Sequence, residues 1–245
     1  MKADPAVQRR LLDLAGVDAE LARLAHRRRT LPEHAALTAA ETAVRRAKDA
    51  LVEVETRAGD LDRDILRLER DVEAVRARTE RDRRILAGAG VGAKQAGDLQ
   101  HELDSLARRQ GVLEDEQLEL MEQREAVGMD AAHAGRVLAE AEHELRTVAE
   151  RRDEALLDID AGEAGRLRER EGIVATLPAD LLAQYDRRRA RGGTGAALLR
   201  ERRCGACRLE LDRTALSTLR SAPPDEVVHC EECGTVLVRT AESGL

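Results

Sequence analysis

The four cysteines of this chain form two Cys-x-x-Cys pairs, and no other feature constrains the fold so strongly. Cys204 and Cys207 make the first pair, Cys230 and Cys233 make the second, and 22 residues separate the two. Each pair can present two thiolates from one tight turn, so two turns complete a tetrahedron around one Zn²⁺. Because four cysteines leave no coordination position for water, the pattern predicts one structural zinc ion per chain.

Other uses of paired cysteines fit this sequence less well. Two disulfides would need an oxidising compartment, a thioredoxin-like redox pair needs a βαβ setting, and an iron–sulfur cluster also takes four cysteines. Two symmetric knuckles favour zinc over these three. His229 directly precedes Cys230, and we expect a surface residue there, since four cysteines already complete the site.

The composition of the chain is that of a long helix. It has no Trp, no Phe and one Tyr, and 36% of its residues are charged. A large core without aromatic residues is not expected, whereas abundant Ala, Leu, Glu and Arg are typical of coiled coils. No apolar run is long enough to span a bilayer, and the N-terminus lacks the apolar core of a signal peptide. We therefore expect a cytoplasmic protein without a membrane partner.

Two long stretches repeat apolar residues at alternating spacings of three and four, which predicts coiled-coil helices. The first runs from Leu37 to Leu86 and the second from Leu99 to Ile159, with a glycine-rich tip near residues 87–97 between them. Their similar lengths favour an antiparallel hairpin, although a dimer that exchanges helices would show the same pattern. Four polar residues in the second seam either fix the register or lie at the seam edge: Gln110, Gln117, Arg124 and Arg152.

The first seam is expected to contain Leu37, Ala40, Val44, Ala47, Leu51, Val54, Ala58, Leu61, Ile65, Leu68, Val72, Val75, Thr79, Asp82 and Leu86. The apolar members expected in the second are Leu99, Leu103, Leu106, Leu113, Leu120, Val127, Ala131, Ala134, Leu138, Ala141, Leu145, Val148, Ala155 and Ile159.

The chain outside the hairpin is expected to be broken into short elements. An earlier helical pattern over residues 5–31 ends in a kink near Pro32. After Ile159 the helical pattern is expected to decay through three glycines. A short helix from Pro178, a flexible loop at residues 191–195 and short strands around the knuckles should follow, and the tail from Thr240 should fray.

These patterns predict a mainly α fold, in which a long antiparallel coiled-coil hairpin precedes a small C-terminal β zinc ribbon. We place the hairpin in residues 1–177, and the connecting helix with the ribbon in residues 178–245.

Charge is distributed unevenly along the chain. Residues 98–163 carry 19 acidic residues against 7 basic ones, whereas residues 187–213 carry nine arginines against three acids. Clustered arginines can neutralise nucleic-acid phosphates, but they can also pair with the acidic hairpin or form a solvated face. The candidate nucleic-acid contacts are Arg187, Arg188, Arg189, Arg191, Arg200, Arg202, Arg203, Arg208 and Arg213.

With these residues in place, the whole chain resembles a bacterial family that joins a coiled-coil hairpin to a C-terminal four-cysteine zinc ribbon. The resemblance is carried by Asp-Leu-Gln-His-Glu-Leu at 98–103, by Leu-Leu-Ala-Gln-Tyr-Asp at 181–186 and by the ribbon from Cys204 to Val238. The Ala- and Arg-rich composition is similar to that of actinobacterial members. Many members have a basic residue where this chain has Thr235.

The resemblance implies an adaptor. Flagellated relatives are linked to chaperoning an alternative sigma factor and to flagellar messenger RNA, and chlamydial relatives are linked to secretion components. We therefore expect a non-enzymatic protein that binds protein partners through the coiled coil and the ribbon, in transcriptional or post-transcriptional regulation. The alternative is RNA or DNA binding through the basic ribbon end, against which the missing aromatic residues count.

An enzyme is disfavoured on the residues themselves. The chain contains no phosphate-binding glycine loop, no nucleophile elbow and no paired-histidine motif. A coiled coil also offers no closed pocket that could exclude water from a reaction. We therefore expect no small-molecule substrate.

Overall fold

The structure is a computed structural model that describes all 245 residues, and it confirms the mainly α fold with a small C-terminal β ribbon. The helices are α1 (Pro5–Arg29), α2 (Pro32–Leu86), α3 (Ala93–Val174), α4 (Ala179–Ala190) and α5 (Arg213–Ser221). The strands are β1 (Ala196–Arg200), β2 (Arg203–Cys204), β3 (Val228–His229) and β4 (Val236–Val238). None of the helices combines the length and the apolar run that a bilayer crossing requires.

The chain packs as two compact units. Residues 33–151 form one, here called the hairpin unit, and residues 1–32 together with 152–245 form the other, the ribbon unit. The ribbon unit therefore contains α1 and the end of α3 as well as the zinc ribbon. The domain boundary between residues 177 and 178, placed just before the connecting helix, stays a prediction.

The hairpin unit buries the heptad seam that the sequence predicts. Every buried residue of α2 belongs to that seam: Ala40, Val44, Ala47, Ala58, Leu68, Val72 and Thr79. The other α2 seam positions are half-buried. The buried residues of α3 in this unit also lie in the predicted seam: Leu106, Leu113, Val127 and Val148. The predicted register is confirmed.

Ion pairs between α2 and α3 show that the two helices are antiparallel within one chain. Partners on α3 move down the sequence as those on α2 move up: Lys48–Glu142 (3.5 Å), Asp62–Arg124 (2.7 Å), Arg76–Glu114 (2.6 Å) and Arg78–Glu102 (2.6 Å). Exposed pairs of this kind contribute roughly 0–1 kcal/mol each, so they mark the register more than they stabilise it. The seam residue Arg124 crosses to the other helix, whereas Gln110 bonds Glu114 within its own.

Both ends of α2 lie near the breaks expected from the sequence. Thr30 and Leu31 separate α1 from α2, and Pro32 occupies the first position of α2, where a missing N–H costs nothing. At the tip, residues 87–92 are not helical and α3 begins at Ala93.

The expected decay of the helix after Ile159 is wrong. Helix α3 continues without interruption to Val174, through Gly162 and Gly165. Its last turns pack on α1, where Ile173 joins a buried cluster with Leu14 and Val17. The burial of this apolar face offsets the low helix propensity of glycine, which is roughly 1 kcal/mol per residue.

The core of the ribbon unit is shared by helices and strands. Side chains from α1, the end of α3, α4, β1 and β4 meet in one cluster that contains Leu11, Leu181, Tyr185, Ala196 and Val236. Each of these five side chains is at most 1% exposed. The zinc ribbon therefore packs directly on α1 and is not a separate appendage of this unit.

The N-terminal residues add a backbone connection to the ribbon. The N–H of Ala3 donates to the carbonyl of Asp225 at 2.7 Å, and the N–H of Val227 donates to the carbonyl of Met1 at 3.0 Å. The Gln8 side chain, which is 2% exposed, donates to the carbonyls of Ala3 and Pro224. These bonds hold the first residues against the segment that leads into β3.

The ribbon sheet has the strand order β2-β1-β4-β3, with β1 and β4 parallel and the outer pairs antiparallel. Glu201 and Arg202 join β1 to β2, with φ angles of 47° and 65°. Two left-handed residues give a type I′ hairpin turn, which matches the twist of the strands.

The C-terminal tail packs against this turn, so the expected fraying is wrong. The N–H groups of Glu201 and Arg202 donate to the carbonyls of Glu242 (2.9 Å) and Ser243 (3.0 Å). Ser243 lies in a short 3₁₀ helix (Ala241–Ser243), is 1% exposed, and its hydroxyl donates to the carbonyl of Leu199 at 2.9 Å. The tail satisfies backbone groups that water would otherwise have to satisfy.

We predict that Leu68→Asp unfolds the hairpin unit far more easily than a substitution off the seam. Leu68 is 8% exposed and packs in one cluster with Val72 and Leu113. A carboxylate there is left buried and unpaired, so the loss should exceed about 3 kcal/mol of unfolding free energy. Urea unfolding followed by circular dichroism measures it. Glu55→Ala, at an exposed position off the seam, should change the same quantity by less than about 0.5 kcal/mol, and equal losses would contradict the register.

Candidate metal centre

The two Cys-x-x-Cys turns have the same backbone geometry. In the first, the N–H of Arg208 donates to the carbonyl of Cys204 at 2.8 Å, and in the second the N–H of Gly234 donates to the carbonyl of Cys230, also at 2.8 Å. The residue after each pair has a left-handed conformation, with φ of 65° at Arg208 and 72° at Gly234. Each turn thereby aims its two sulfurs in one direction.

The four sulfurs meet in a cage of the size that one zinc ion requires. Sγ of Cys204 lies 3.8 Å from Sγ of Cys233, and Sγ of Cys207 lies 3.9 Å from Sγ of Cys230. All four sulfurs lie within 4.8 Å of one another. A regular tetrahedron with Zn–S bonds of about 2.3 Å has edges of about 3.8 Å, whereas a disulfide would bring two sulfurs to about 2.05 Å. The four cysteines thus fit one structural zinc ion.

The sulfurs differ in how readily they lose their protons. Burial raises the pKa of Cys204 to about 12 and also raises the pKa of Cys230. Burial acts in the same direction on Cys233, but hydrogen bonds with Thr235 and with the neighbouring cysteines outweigh it and lower this pKa to about 7. Zinc binds thiolates, so metal uptake must displace protons from the more buried thiols, and affinity falls as the pH falls.

Thr235 links the second knuckle to the loop that precedes β1. Its side chain is fully buried, its hydroxyl donates to the carbonyl of Thr194 at 2.9 Å, and its Oγ1 lies 3.2 Å from Sγ of Cys233. Position 235 is therefore an uncharged, internal contact in this chain. His229 is exposed beside the knuckle and lies outside the sulfur cage.

A buried carboxylate joins three helices of the ribbon unit. Asp18 on α1 is 4% exposed and accepts a hydrogen bond from the hydroxyl of Tyr185 at 2.6 Å. Arg170 on α3 and Arg189 on α4 contact its two oxygens at 2.9 Å and 2.8 Å. Burial and the bond to Asp18 raise the pKa of Tyr185 above its ordinary value, so the phenol stays protonated and donates.

This network of buried polar groups was not predicted from the sequence. The single tyrosine was the available signal, because a buried phenol needs a hydrogen-bond partner. The tyrosine also explains a glycine in the loop expected to be flexible: a Cβ at Gly195 would lie 2.4 Å from the Tyr185 ring.

Arg239 is a second residue that sequence reasoning missed. Its guanidinium donates to four carbonyl oxygens at 2.5–3.0 Å, those of Leu219, Ala222, Pro223 and Glu226. The Leu219 carbonyl is in the last turn of α5, where helical carbonyls lack partners, and the other three follow the end of the helix. Arg239 therefore fastens the segment between α5 and β3 to the end of β4.

The structure separates the nine candidate arginines into engaged and available groups. Arg189 is held by Asp18, which removes it from the candidate contacts. Arg203 pairs with Glu210 at 3.0 Å and Arg200 with Glu242 at 3.5 Å. The Nε of Arg202 donates to the carbonyl of Gly244. Arg191, Arg208 and Arg213 are exposed.

Three of these arginines line one cleft beside the second knuckle. Arg187, Arg188 and Arg191 border a space of about 390 Å³, whose other lining residues are Gln184, His229, Cys233 and Gly234. The Nε of Arg188 is buried without a hydrogen-bond partner. No Asp or Glu lines this cleft, so its three arginines make it a basic site. When zinc is bound, four thiolates around one Zn²⁺ carry a net charge of −2, and Cys233 brings part of that charge to the edge of the cleft.

Comparison with known proteins places the chain in a family. Residues 14–193 match the CT398-like coiled coil hairpin domain, and residues 203–237 match the C4-type zinc ribbon domain. The chain belongs to the family of proteins that join this hairpin to a C4-type ribbon, as the resemblance in its sequence predicts.

The relatives fit an actinobacterial member of that family. An uncharacterized protein of Mycobacterium tuberculosis is 44% identical over 239 residues, which cover 98% of each chain. A solved structure from Mycobacterium smegmatis is 40% identical with a TM-score of 0.88, and the match covers 98% of this chain and 100% of that one. The structure of CT398 from Chlamydia trachomatis shares the fold, at 17% identity and a TM-score of 0.68, over 96% of this chain and 98% of that one.

We predict that Arg208→Gly makes the ribbon hold zinc more tightly. Arg208 has a left-handed conformation that costs a non-glycine residue roughly 1 kcal/mol, while Gly234 fills the equivalent place in the second knuckle. Since zinc release is coupled to unfolding of the site, the variant should need about two- to fivefold more chelator for half-release. Arg208→Ala removes the same charge and keeps the strain, so it should behave as the unsubstituted chain. Equal gains in both variants would show that charge, not strain, is responsible.

Proposed function

We propose that this chain is a non-enzymatic adaptor that binds protein partners through its coiled-coil hairpin and its zinc ribbon. The observation that carries the proposal is the closed sulfur cage. Four cysteine sulfurs within 4.8 Å of one another supply a complete tetrahedral set, so the metal stabilises a fold and offers no position for a substrate.

The hairpin supports the same proposal by its surface. Its seam is used internally, while the outward faces of α2 and α3 carry exposed large apolar residues, among them Val52 (60%) and Leu118 (58%). Exposed apolar residues on a rigid helical element are common at sites of protein association. A helical hairpin combined with a zinc-stabilised ribbon fits a binding role.

A role in transcriptional or post-transcriptional regulation, and a cytoplasmic location, belong to this proposal. Paired cysteines that form no disulfide suit a reducing compartment, where thiols remain available to zinc.

The buried network around Asp18 has a structural role, because Tyr185 and two arginines occupy the carboxylate oxygens. The network therefore leaves no free acid or base for catalysis.

Site-specific photo-crosslinking tests the adaptor role. A photoreactive residue replaces Val52 or Leu66 on α2, or Leu209 on the ribbon, all of which are 49–60% exposed. After irradiation of cells, mass spectrometry should identify the same protein adducts repeatedly from the α2 positions. Unirradiated cells are the control. If the α2 positions give no protein adduct and Leu209 gives only RNA, the adaptor role is abandoned.

A second candidate function is nucleic-acid binding, and the basic cleft favours it. Arg187, Arg188 and Arg191 converge on one space with no acidic residue in its lining. Such a cleft would contact phosphates and would not read bases, so binding should be weak, tolerant of sequence and strongly dependent on salt.

We predict that Arg187→Gln combined with Arg191→Gln weakens binding to single-stranded RNA and reduces its salt dependence. The slope of log affinity against log salt should fall by about 0.7 for each phosphate that the variant no longer neutralises. The matched control is Arg200→Gln with Arg203→Gln, which removes the same charge from residues already paired with Glu242 and Glu210. The full chain is used throughout, because α1 covers part of the ribbon core. Absence of binding at low salt, or equal weakening in both variants, would rule out the cleft.

A further inference from the structure

Helix α3 carries an apolar row on the side that faces away from α2. Leu118, Met121 and Met129 are 58%, 49% and 66% exposed. Leu118 lies nine residues before the buried Val127, and Met129 lies nine residues after the seam residue Leu120. Nine residues are two and a half helical turns, so the row is opposite the seam. Met121 lies about 60° around the helix from Leu118 and about 80° from Met129, so it is on one flank of the same face.

The apolar row is rich in methionine, which is rare in the rest of the chain. Two of the three methionines of the chain lie in it, and the third is Met1. Methionine has a flexible, polarizable side chain that adapts to different apolar partners, which suits a surface that receives another helix. The three exposed side chains extend over about 16 Å of helix, a length that matches roughly three turns of a partner.

Acidic residues surround the row. Residues 111–132 contain seven acids and one arginine. Asp115, Glu122 and Glu125 are exposed and make no ion pair or hydrogen bond through their side chains. By contrast, Glu114 is held by Arg76 and Gln110, and Arg124, the single base, is held by Asp62. The fold leaves the negative charge beside the apolar row uncompensated.

We infer that this face of α3, here called the Met face (Leu118, Met121, Glu122, Glu125 and Met129), binds a basic amphipathic helix of a protein partner. The inference rests on the proposed adaptor function and specifies its partner. Leucines or similar residues on one side of the partner helix would cover the apolar row, and lysines or arginines beside them would meet Glu122 and Glu125.

Charge decides against the other occupants of the Met face. A second copy that docked through its own Met face would bring one acidic helix against another, and like charges in contact are repulsive. Nucleic acid is excluded from the face for the same reason, since its phosphates are negative. A neutral apolar partner would leave the acids beside the row without counter-charge when they lose water.

The test uses the full chain and a synthetic helical peptide whose leucines follow the i, i+3, i+4, i+7 spacing and whose other positions are mainly lysine. A peptide of the same composition in scrambled order is the control for simple charge attraction. Fluorescence anisotropy should give about tenfold tighter binding of the amphipathic peptide than of the scrambled one. Leu118→Gln with Met129→Gln should remove that preference, because the two substitutions remove most of the apolar row. Both side chains are exposed, so the seam stays intact.

The matched control variant is Leu157→Gln, which replaces another apolar residue of α3 that is 68% exposed. It should bind both peptides as the unsubstituted chain does. Glu122→Gln with Glu125→Gln should weaken binding of both peptides at low salt and flatten the salt dependence. Circular dichroism confirms that each variant keeps its helix content.

Three results would overturn the inference. They are equal binding of the ordered and scrambled peptides, full binding by the Leu118 and Met129 double variant, and a dimer of the chain that this double variant abolishes. The outcome is separable from that of the adaptor proposal. Protein adducts at Val52 without peptide binding would retain the adaptor and reject the Met face. Peptide binding without any cellular adduct would retain the surface chemistry and reject the adaptor.

Discussion

Four thiolates that must meet at one point constrain the whole zinc ribbon. Its strands are two to five residues long and its helix has nine residues, so hydrogen bonding within the sheet cannot hold the ribbon together. The ligands are themselves core residues, with Cys204 and Cys230 at most 1% exposed in one cluster with Leu199, Leu216 and Leu237. Metal binding energy and apolar burial therefore act on the same few side chains, and each depends on the other.

That dependence extends to α1, because the ribbon shares its second core with the helices. Leu11 and Leu14 pack with Tyr185 and Val236, and Asp18 holds charged and phenolic groups from α3 and α4. Loss of the partners of a buried carboxylate lowers the stability of the fold by roughly 3–5 kcal/mol, so few arrangements of these three helices are stable. A ligand that binds only the folded ribbon also stabilises whatever packs with it. Zinc is thus linked to α1 and to the end of α3, whereas the seam of residues 33–151 has its own burial.

Periodicity and spacing predicted what depends on local repetition. The heptad seam from Leu37 to Leu86, the pairing of the four cysteines and strand β4 all follow from residues close in sequence. The interactions of Asp18, Arg239 and Ser243 with distant residues were missed, since nothing near them in sequence shows which carbonyl or guanidinium they meet. The glycines after Ile159 were misleading for the same reason: the packing that overrides their propensity comes from α1.

Some charged side chains are paired within the fold and others are not, and the unpaired ones determine which ligands the chain could attract. Arg189 and Arg239 are fully engaged inside the ribbon unit, and Arg124 is paired along the hairpin seam. Two groups of the remaining charges are each of one sign: the carboxylates of the Met face, and the guanidinium groups in the cleft next to Cys233. Because each site would repel the ligand that the other attracts, the two proposed ligands, a basic helix and an anionic group, would not compete for one site. Both interactions would weaken as salt rises, but only the first also requires an apolar surface, and that requirement separates a folded protein partner from any polycation.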